Sequence, residues 1–200
     1  MSAHVAAFDV DGTITSRDCV VPFMRNVSGT AKIGARLLTR PHRLIPVLAR
    51  RDRDALKALA SSAAFRGQRH DRLVDMAQTF AAEVHASWLR ADTLEKLRAH
   101  QSSGHRVVLV SASYELYLQP LAELLGVHDV LATRLVVRDG ETTGDLDGPN
   151  CRGPEKVRRL HAWLDDEYGG RVNVTVTAYG DSNGDREMLA DADEAHWVAA

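Results

Sequence analysis

The sequence predicts an α/β fold, a mostly parallel sheet covered by helices on both faces, with an all-helical segment inserted after the first strand. Three observations carry this. From Asp92 onward, short apolar runs alternate with segments whose apolar residues recur at helical spacing. One apolar run, His4 to Val10, stands by itself near the start. Between the two, from Pro22 to about Leu89, helical spacing continues with no strand signal.

The elements follow in order. His4 to Val10 is a short strand ended by Asp11-Gly12. The inserted stretch reads as short helices, with Ile33, Leu37 and Leu38, then Leu44, Val47 and Leu48, then Leu56 and Leu59, then Leu73, Met76, Ala77 and Phe80 as their apolar stripes. Pro41, Pro46 and Gly67 punctuate it, and Phe65, Arg66 and Gly67 read as a connecting loop. Asp92 to Ser103 is a helix closed by Gly104, Arg106 to Val110 a buried strand, and Tyr114 to Leu125 a helix closed by Gly126. Asp129 to Thr133 is a strand, and Arg134 to Leu146 a hairpin turning near Asp139-Gly140. A helix opens at Pro154, where proline suits the first helical position, and runs to about Glu167. Asn173 to Ala178 is a strand, Asp185 to Ala190 a helix, and Ala195 to Val198 a last strand. Trp88, Trp163 and Trp197 read as packing residues.

The 200 residues, 44% of them hydrophobic, suffice for one core without disulfides or a structural metal. Two distant cysteines, Cys19 and Cys151, form no CxxC pair and read as inert thiols in a reducing compartment. No signal peptide and no apolar run long enough to span a membrane is visible, so a cytoplasmic location is expected. The net charge of −2 is unevenly spread. Arg25 to Arg72 holds 12 basic residues against three acids, a balance of +9, and the rest of the chain carries about −11. That stretch either meets an anion or is a solvated basic face.

Ligands of open α/β sheets gather at the carboxyl ends of strands. The first strand delivers Asp9, Asp11 and Gly12; the Arg106–Val110 strand Ser111-Ala112-Ser113; the Asn173 strand Gly180-Asp181-Ser182 and Asp185. Asp9 and Asp11, two apart, can face one side, and with Asp181 they bring three carboxylates together. Such crowding forces a proton onto one of them unless a hard cation joins, and magnesium suits oxygen ligands that leave room for phosphate. The nine histidines show no zinc spacing. Backbone amides at Gly12 and Ala112, the Ser111 hydroxyl and Lys156, just inside a helix start, are candidate phosphate donors. Asp9 is then the candidate nucleophile and Asp11 the candidate general acid and base of a magnesium-dependent phosphomonoester hydrolase.

Here the chain resembles the haloacid dehalogenase-like (HAD) hydrolase superfamily. Phe8-Asp9-Val10-Asp11-Gly12-Thr13, Ser111, Lys156 and Gly180-Asp181-Ser182-x-x-Asp185 match its four motifs in order. The insert resembles a type C1 cap, and Ser-Ala-Ser with the Gly153-x-x-Lys156 spacing is similar to subfamily IB, which contains phosphoserine phosphatase. The resemblance implies a Rossmann-like core over residues 1–17 and 90–200 and a cap over 18–89. It implies that Asp9, Asp11 and Asp181 bind Mg2+, Asp11 through its backbone carbonyl, and that Asp185 supports the metal shell or orients Lys156. Phosphoserine phosphatases usually carry Ser at Gly12, Asn at Gly184 and a substrate-binding Glu at Asp18. Asp18 and Arg66 are candidate substrate contacts.

The expectation is a monomer or homodimer acting on a small phosphorylated, phosphoserine-like metabolite, with no nucleic-acid partner. One alternative is a lipid phosphate reached by peripheral membrane contact through the basic cap. Another is a non-catalytic module that binds a phospho-ligand.

Overall fold

The computed structural model describes residues 3–39 and 41–199. Among them the elements run β1 (Ala3–Phe8), α1 (Val20–Ser28), α2 (Thr30–Leu38), α3 (Pro41–Arg50), α4 (Arg53–Phe65), β2 (Gln68–Arg69), α5 (His70–Ser87) and α6 (Ala91–Ser102). The chain continues with β3 (Arg106–Tyr114), α7 (Glu115–Leu125), β4 (Asp129–Arg138), β5 (Glu141–Asp147), α8 (Pro154–Tyr168), β6 (Val174–Gly180), α9 (Arg186–Asp191) and β7 (Glu194–Trp197). The strands form one sheet in the order β2-β5-β4-β3-β1-β6-β7. β4, β3, β1, β6 and β7 are parallel; β5 and β2 extend the β4 edge antiparallel.

Successive side chains of a strand point to opposite faces, and the two halves of the core follow from that. Ala6 and Phe8 of β1 join Leu109 of β3 in a cluster completed by α5, α6 and α7. Val5 and Ala7 join Val108 and Val110 in a second cluster under α8 and α9, with Leu160, Leu164 and Met188. A strand buried on both faces reads as a continuous apolar run, which is why β1 and β3 stand out in the sequence.

Four details differ from the sequence reading. The predicted strand at Asp129 and the first arm of the hairpin are one strand, β4, parallel to β3 in its first half and antiparallel to β5 in its second. The inserted stretch does contain a strand, β2, too short for any alternation to register. Phe65 and Gly67 lie at its approach: Phe65 is the buried last residue of α4, and the Gly67 amide donates to the Thr142 carbonyl (2.9 Å). Pro46 lies inside α3 rather than ending it, since one lost amide donor is tolerable on a helix with no fully buried side chain. Trp88 and Trp163 do pack, but Trp197 is exposed on the edge strand.

The insert leaves and re-enters the core at one place. Thr15 bridges Leu89 antiparallel, the Ser16 amide donates to the Trp88 carbonyl (2.8 Å), and the Arg90 amide donates to the Ile14 carbonyl (2.9 Å). The Arg17 guanidinium lies 3.6 Å from the centre of the Trp88 ring. Beyond this neck, α5 packs on α7 through Phe80 and Tyr117, with ring centres 5.3 Å apart.

Candidate active site

The carboxyl ends of β1, β3 and β6 converge with the start of α8. Lys156 enters from the first turn of α8, where Gly153 takes a positive φ of 58° and Pro154 opens the helix. Its ammonium, 1% exposed, donates at 2.6 Å to Asp9 Oδ1 and at 2.6 Å to Asp185 Oδ1. Burial works against this charge, but the two carboxylates outweigh it and hold Lys156 above its ordinary value. The same ammonium, with the amide and hydroxyl of Ser182 (3.0 and 2.8 Å), outweighs the burial of Asp185 and holds that carboxyl low.

Burial pushes the Asp9 carboxyl up to about 7; Lys156 opposes the rise, and Asp185 and Asp11 add to it. Burial and then the Asp185 charge raise Asp181. Asp9, Asp181 and Asp185 each offer a carboxylate oxygen, all within 4.8 Å of one another. Three crowded carboxylates, two of them, Asp9 and Asp181, biased toward protonation, with one lysine between them, are a donor set that a hard, oxygen-loving cation fits. Gly12 makes room for this group: at its φ of 84°, a Cβ would stand 2.3 Å from Asp181 Oδ2. Thr13 donates to Asp181 Oδ1 at 3.4 Å.

The sequence placed the Asp11 carboxylate in this cluster. The structure turns it elsewhere: Oδ1 accepts from the Cys19 amide (2.9 Å) and Oδ2 from the Ser113 hydroxyl, which in turn accepts from Tyr117 (2.7 Å). Burial, and after it the Asp18 charge, raise Asp11 against these hydrogen bonds. Ser111 is fully buried and its Oγ accepts from the Ser113 amide (3.1 Å), which leaves the hydroxyl hydrogen to point elsewhere. Ala112 lies beside it in β3.

Asp18 stands at the entry to α1, its Oδ1 accepting from the Val20 amide (2.6 Å). Arg66 is not brought to the cluster; it faces Asp145 at 3.5 Å and lines a groove between α2, α3 and α4. Cys19 and Cys151 are buried free thiols, both pushed up by burial, Cys151 to about 11.

Lys57 was missed in the sequence. It rises from α4 and donates to the Ala112 carbonyl, to Asn150 Oδ1 (2.7 Å) and to Thr133 Oγ1 (3.3 Å). Burial lowers its pKa to about 8, although Asp11 and other acids pull the other way. Asn150 is held in turn, donating to Asp54 Oδ1 (2.7 Å). Ser113 was visible in the Ser-x-Ser spacing but its bond to Asp11 was not; Lys57 carried no signal beyond being a lysine on a helix.

The family described as haloacid dehalogenase-like hydrolase matches residues 6–190. Protein CicA of Caulobacter vibrioides is 38% identical over 192 residues, 95% of this chain and 83% of that protein. A phosphoserine phosphatase of Methanocaldococcus jannaschii is 30% identical over 104 residues, 49% of this chain and 46% of its own length. A solved phosphoserine phosphatase, captured as an analogue of its phospho-aspartyl intermediate, superposes with a TM-score of 0.65 at 17% identity, covering 96% and 84% of the two chains. The chain belongs to the haloacid dehalogenase-like hydrolases. It is an enzyme of the phosphatase type within that family, related to phosphoserine phosphatases.

Proposed function

We propose that the chain hydrolyses a small phosphorylated metabolite with the help of Mg2+, through a phosphorylated Asp9. The observation that carries this is the buried Lys156, which holds Asp9 and Asp185 2.6 Å from its ammonium while Asp181 stands within reach of both. Asp9, Asp181 and the backbone carbonyl of Asp11 would hold Mg2+, with Asp185 supporting them. When bound, the cation lowers the Asp9 proton affinity and neutralises negative charge on the phosphoryl group.

Asp9 attacks phosphorus as a carboxylate, and the bond from phosphorus to the leaving oxygen breaks. Asp11, whose proton affinity burial raises, gives that oxygen its proton. Water then attacks the phosphorus of the aspartyl phosphate and passes a proton to Asp11, and Asp9 is released. Lys156, the Ser111 hydroxyl and the amides of Gly12 and Ala112 bind the phosphoryl oxygens and hold them in line.

Residues 18–89 act as the cap that excludes water, and the closed neck at Thr15–Leu89 supports that boundary. The relationship to phosphoserine phosphatases favours a polar, phosphoserine-like leaving group, with Asp18 at the cap entry as its contact. Arg66 is left out, since it pairs with Asp145. A cytoplasmic monomer or homodimer completes the proposal, supported by two buried free thiols.

The test is phosphate release from a panel of phosphomonoesters including phosphoserine, with magnesium and with chelator, for the native chain and Asp9→Asn. Metal-dependent release that disappears in Asp9→Asn is expected. Equal turnover by Asp9→Asn would overturn the mechanism, and full activity in chelator would overturn the metal.

A further inference from the structure

Helices α2 and α3 contribute no fully buried side chain to the molecule. Their half-buried apolar residues, Leu37, Leu44 and Val47, line a groove of about 610 Å³ against Leu59 of α4. Other apolar residues of the same two helices face solvent: Leu38 is 73% exposed, Ile45 64% and Leu48 54%. Ile45 and Leu48, three residues apart, share one side of α3. A single exposed leucine needs no explanation, but Ile45 and Leu48 on one side of α3, with Leu38 exposed at the end of the preceding helix, form the feature that calls for a partner.

The charge around them narrows the partner. Thr30 to Arg53 contains seven Lys/Arg and one acid, Asp52. A second copy of the chain would bring two such basic surfaces face to face. Nucleic acid would satisfy the arginines but leave Leu38, Ile45 and Leu48 in water. An anionic bilayer meets both, since apolar side chains enter the boundary of the acyl region while guanidinium groups stay among the headgroups. The remainder of the chain is acidic, so the same surface potential that draws this corner in repels the rest and orients the molecule. No helix among the described residues is long and apolar enough to cross a membrane, so the contact is peripheral.

We propose that the α2–α3 corner of the insert docks on anionic lipid bilayers, with Leu38, Ile45 and Leu48 entering the interface and the excess basic charge of the Thr30–Arg53 stretch drawing it to the headgroups. This does not depend on the catalytic reading, because none of these residues belongs to the site.

The experiment is co-sedimentation of the full chain with vesicles of phosphatidylcholine alone or mixed with phosphatidylglycerol, at low salt and at about 0.5 M NaCl, where screening is severe. It is repeated for Ile45→Ser/Leu48→Ser and for Arg43→Glu/Arg50→Glu, with thermal melting as the check that each variant is folded. Binding is expected only with phosphatidylglycerol, weakened by salt, and reduced at least about fivefold in each double variant. Absence of binding at low salt overturns the proposal, as does binding that both variants retain. Binding sensitive only to the arginine change and competed by nucleic acid points to a polyanion instead. A dimer that Ile45→Ser/Leu48→Ser dissolves, without vesicle binding, assigns the face to a second copy.

Discussion

The ammonium of Lys57, carried on the inserted helix α4, donates to Asn150 Oδ1 at 2.7 Å, on the loop leading to α8. The same ammonium holds the carbonyl of Ala112. The peptide bearing that carbonyl also bears the Ser113 amide, which donates to Ser111 Oγ. One lysine of the insert is therefore a single peptide plane away from the proposed phosphate-binding hydroxyl.

Replacing Lys57 by Met removes the charged donor that Ala112, Asn150 and Thr133 share; the single Thr133 hydroxyl hydrogen can then serve only one of the Ala112 and Asn150 oxygens, while the Cys151 amide still donates to Thr133. A stability loss of about 1–3 kcal/mol is expected in urea unfolding, together with a fall in kcat larger than any rise in KM. Lys57→Arg should recover part of the stability. The pH dependence separates this residue from general damage. With its folded pKa at about 8, below the ordinary 10.5, the unfolded chain binds more protons between those values. Native stability should gain a rising contribution as pH increases from about 8 toward 10.5, and Lys57→Met should lack it.

Among the described residues Lys156 is the one cation between two buried carboxylates. Lys156→Met removes the charge and leaves Asp9 and Asp185 unpaired, which should cost about 3–5 kcal/mol at neutral pH, read by chemical denaturation. The loss should shrink as pH falls and the carboxylates take up protons. Phosphatase activity should be abolished in that variant across the whole pH range.

At Gly180 a Cβ would stand 2.5 Å from Asp185 Cβ. Gly180→Ala should displace Asp185, the partner that orients Lys156. Activity is expected to drop at least about tenfold, with stability lowered by about 1–3 kcal/mol. An alanine variant that keeps full turnover in the phosphate-release assay would show that Asp185 need not stand where it does.

At the far end of the sheet, His4 stacks on His105 with ring centres 4.0 Å apart, and His100 bonds both His105 (2.8 Å) and Tyr179 (2.9 Å). Burial, followed by the charges of neighbouring histidines, lowers His4 and His100, while Glu194 pulls both up and Asp193 also pulls His4 up. Lowered folded values mean that the unfolded chain binds more protons near pH 6.5 and below. Stability should therefore fall as pH drops through 6.5, and melting temperatures between pH 7.5 and 5.5 should show a smaller fall in His100→Gln.

Much of the site was legible because its residues follow strand ends. Asp9 after β1, Ser111 in β3 and Asp181 after β6 could be placed together from the order of strands and helices, because ligands of open α/β sheets gather at strand carboxyl ends. Lys156 was legible through Gly153 and Pro154, which announce a helix start. Lys57 was not, because nothing local to α4 says that this helix lies over the end of β3. The direction of the Asp11 carboxylate was not legible either; the Asp9–Cys19 connection turns it toward Cys19 and Ser113, a matter of backbone geometry. The fold failed to read at β4 for a related reason: one strand changes partners midway, and a change of partner leaves no mark on alternation.

The neck at Thr15 and Leu89 has a consequence for descent. Because the chain departs and returns through one antiparallel contact, the loops between its inserted helices can be lengthened or shortened while the strand ends that carry Asp9, Ser111 and Asp181 keep their positions. Exchange is restricted where the excursion has rooted itself, through α5 on α7, β2 on β5, Phe65 against Tyr114 and Lys57 on Ala112. Change in this architecture is therefore expected to gather in the loops of the insert and to spare the strand ends.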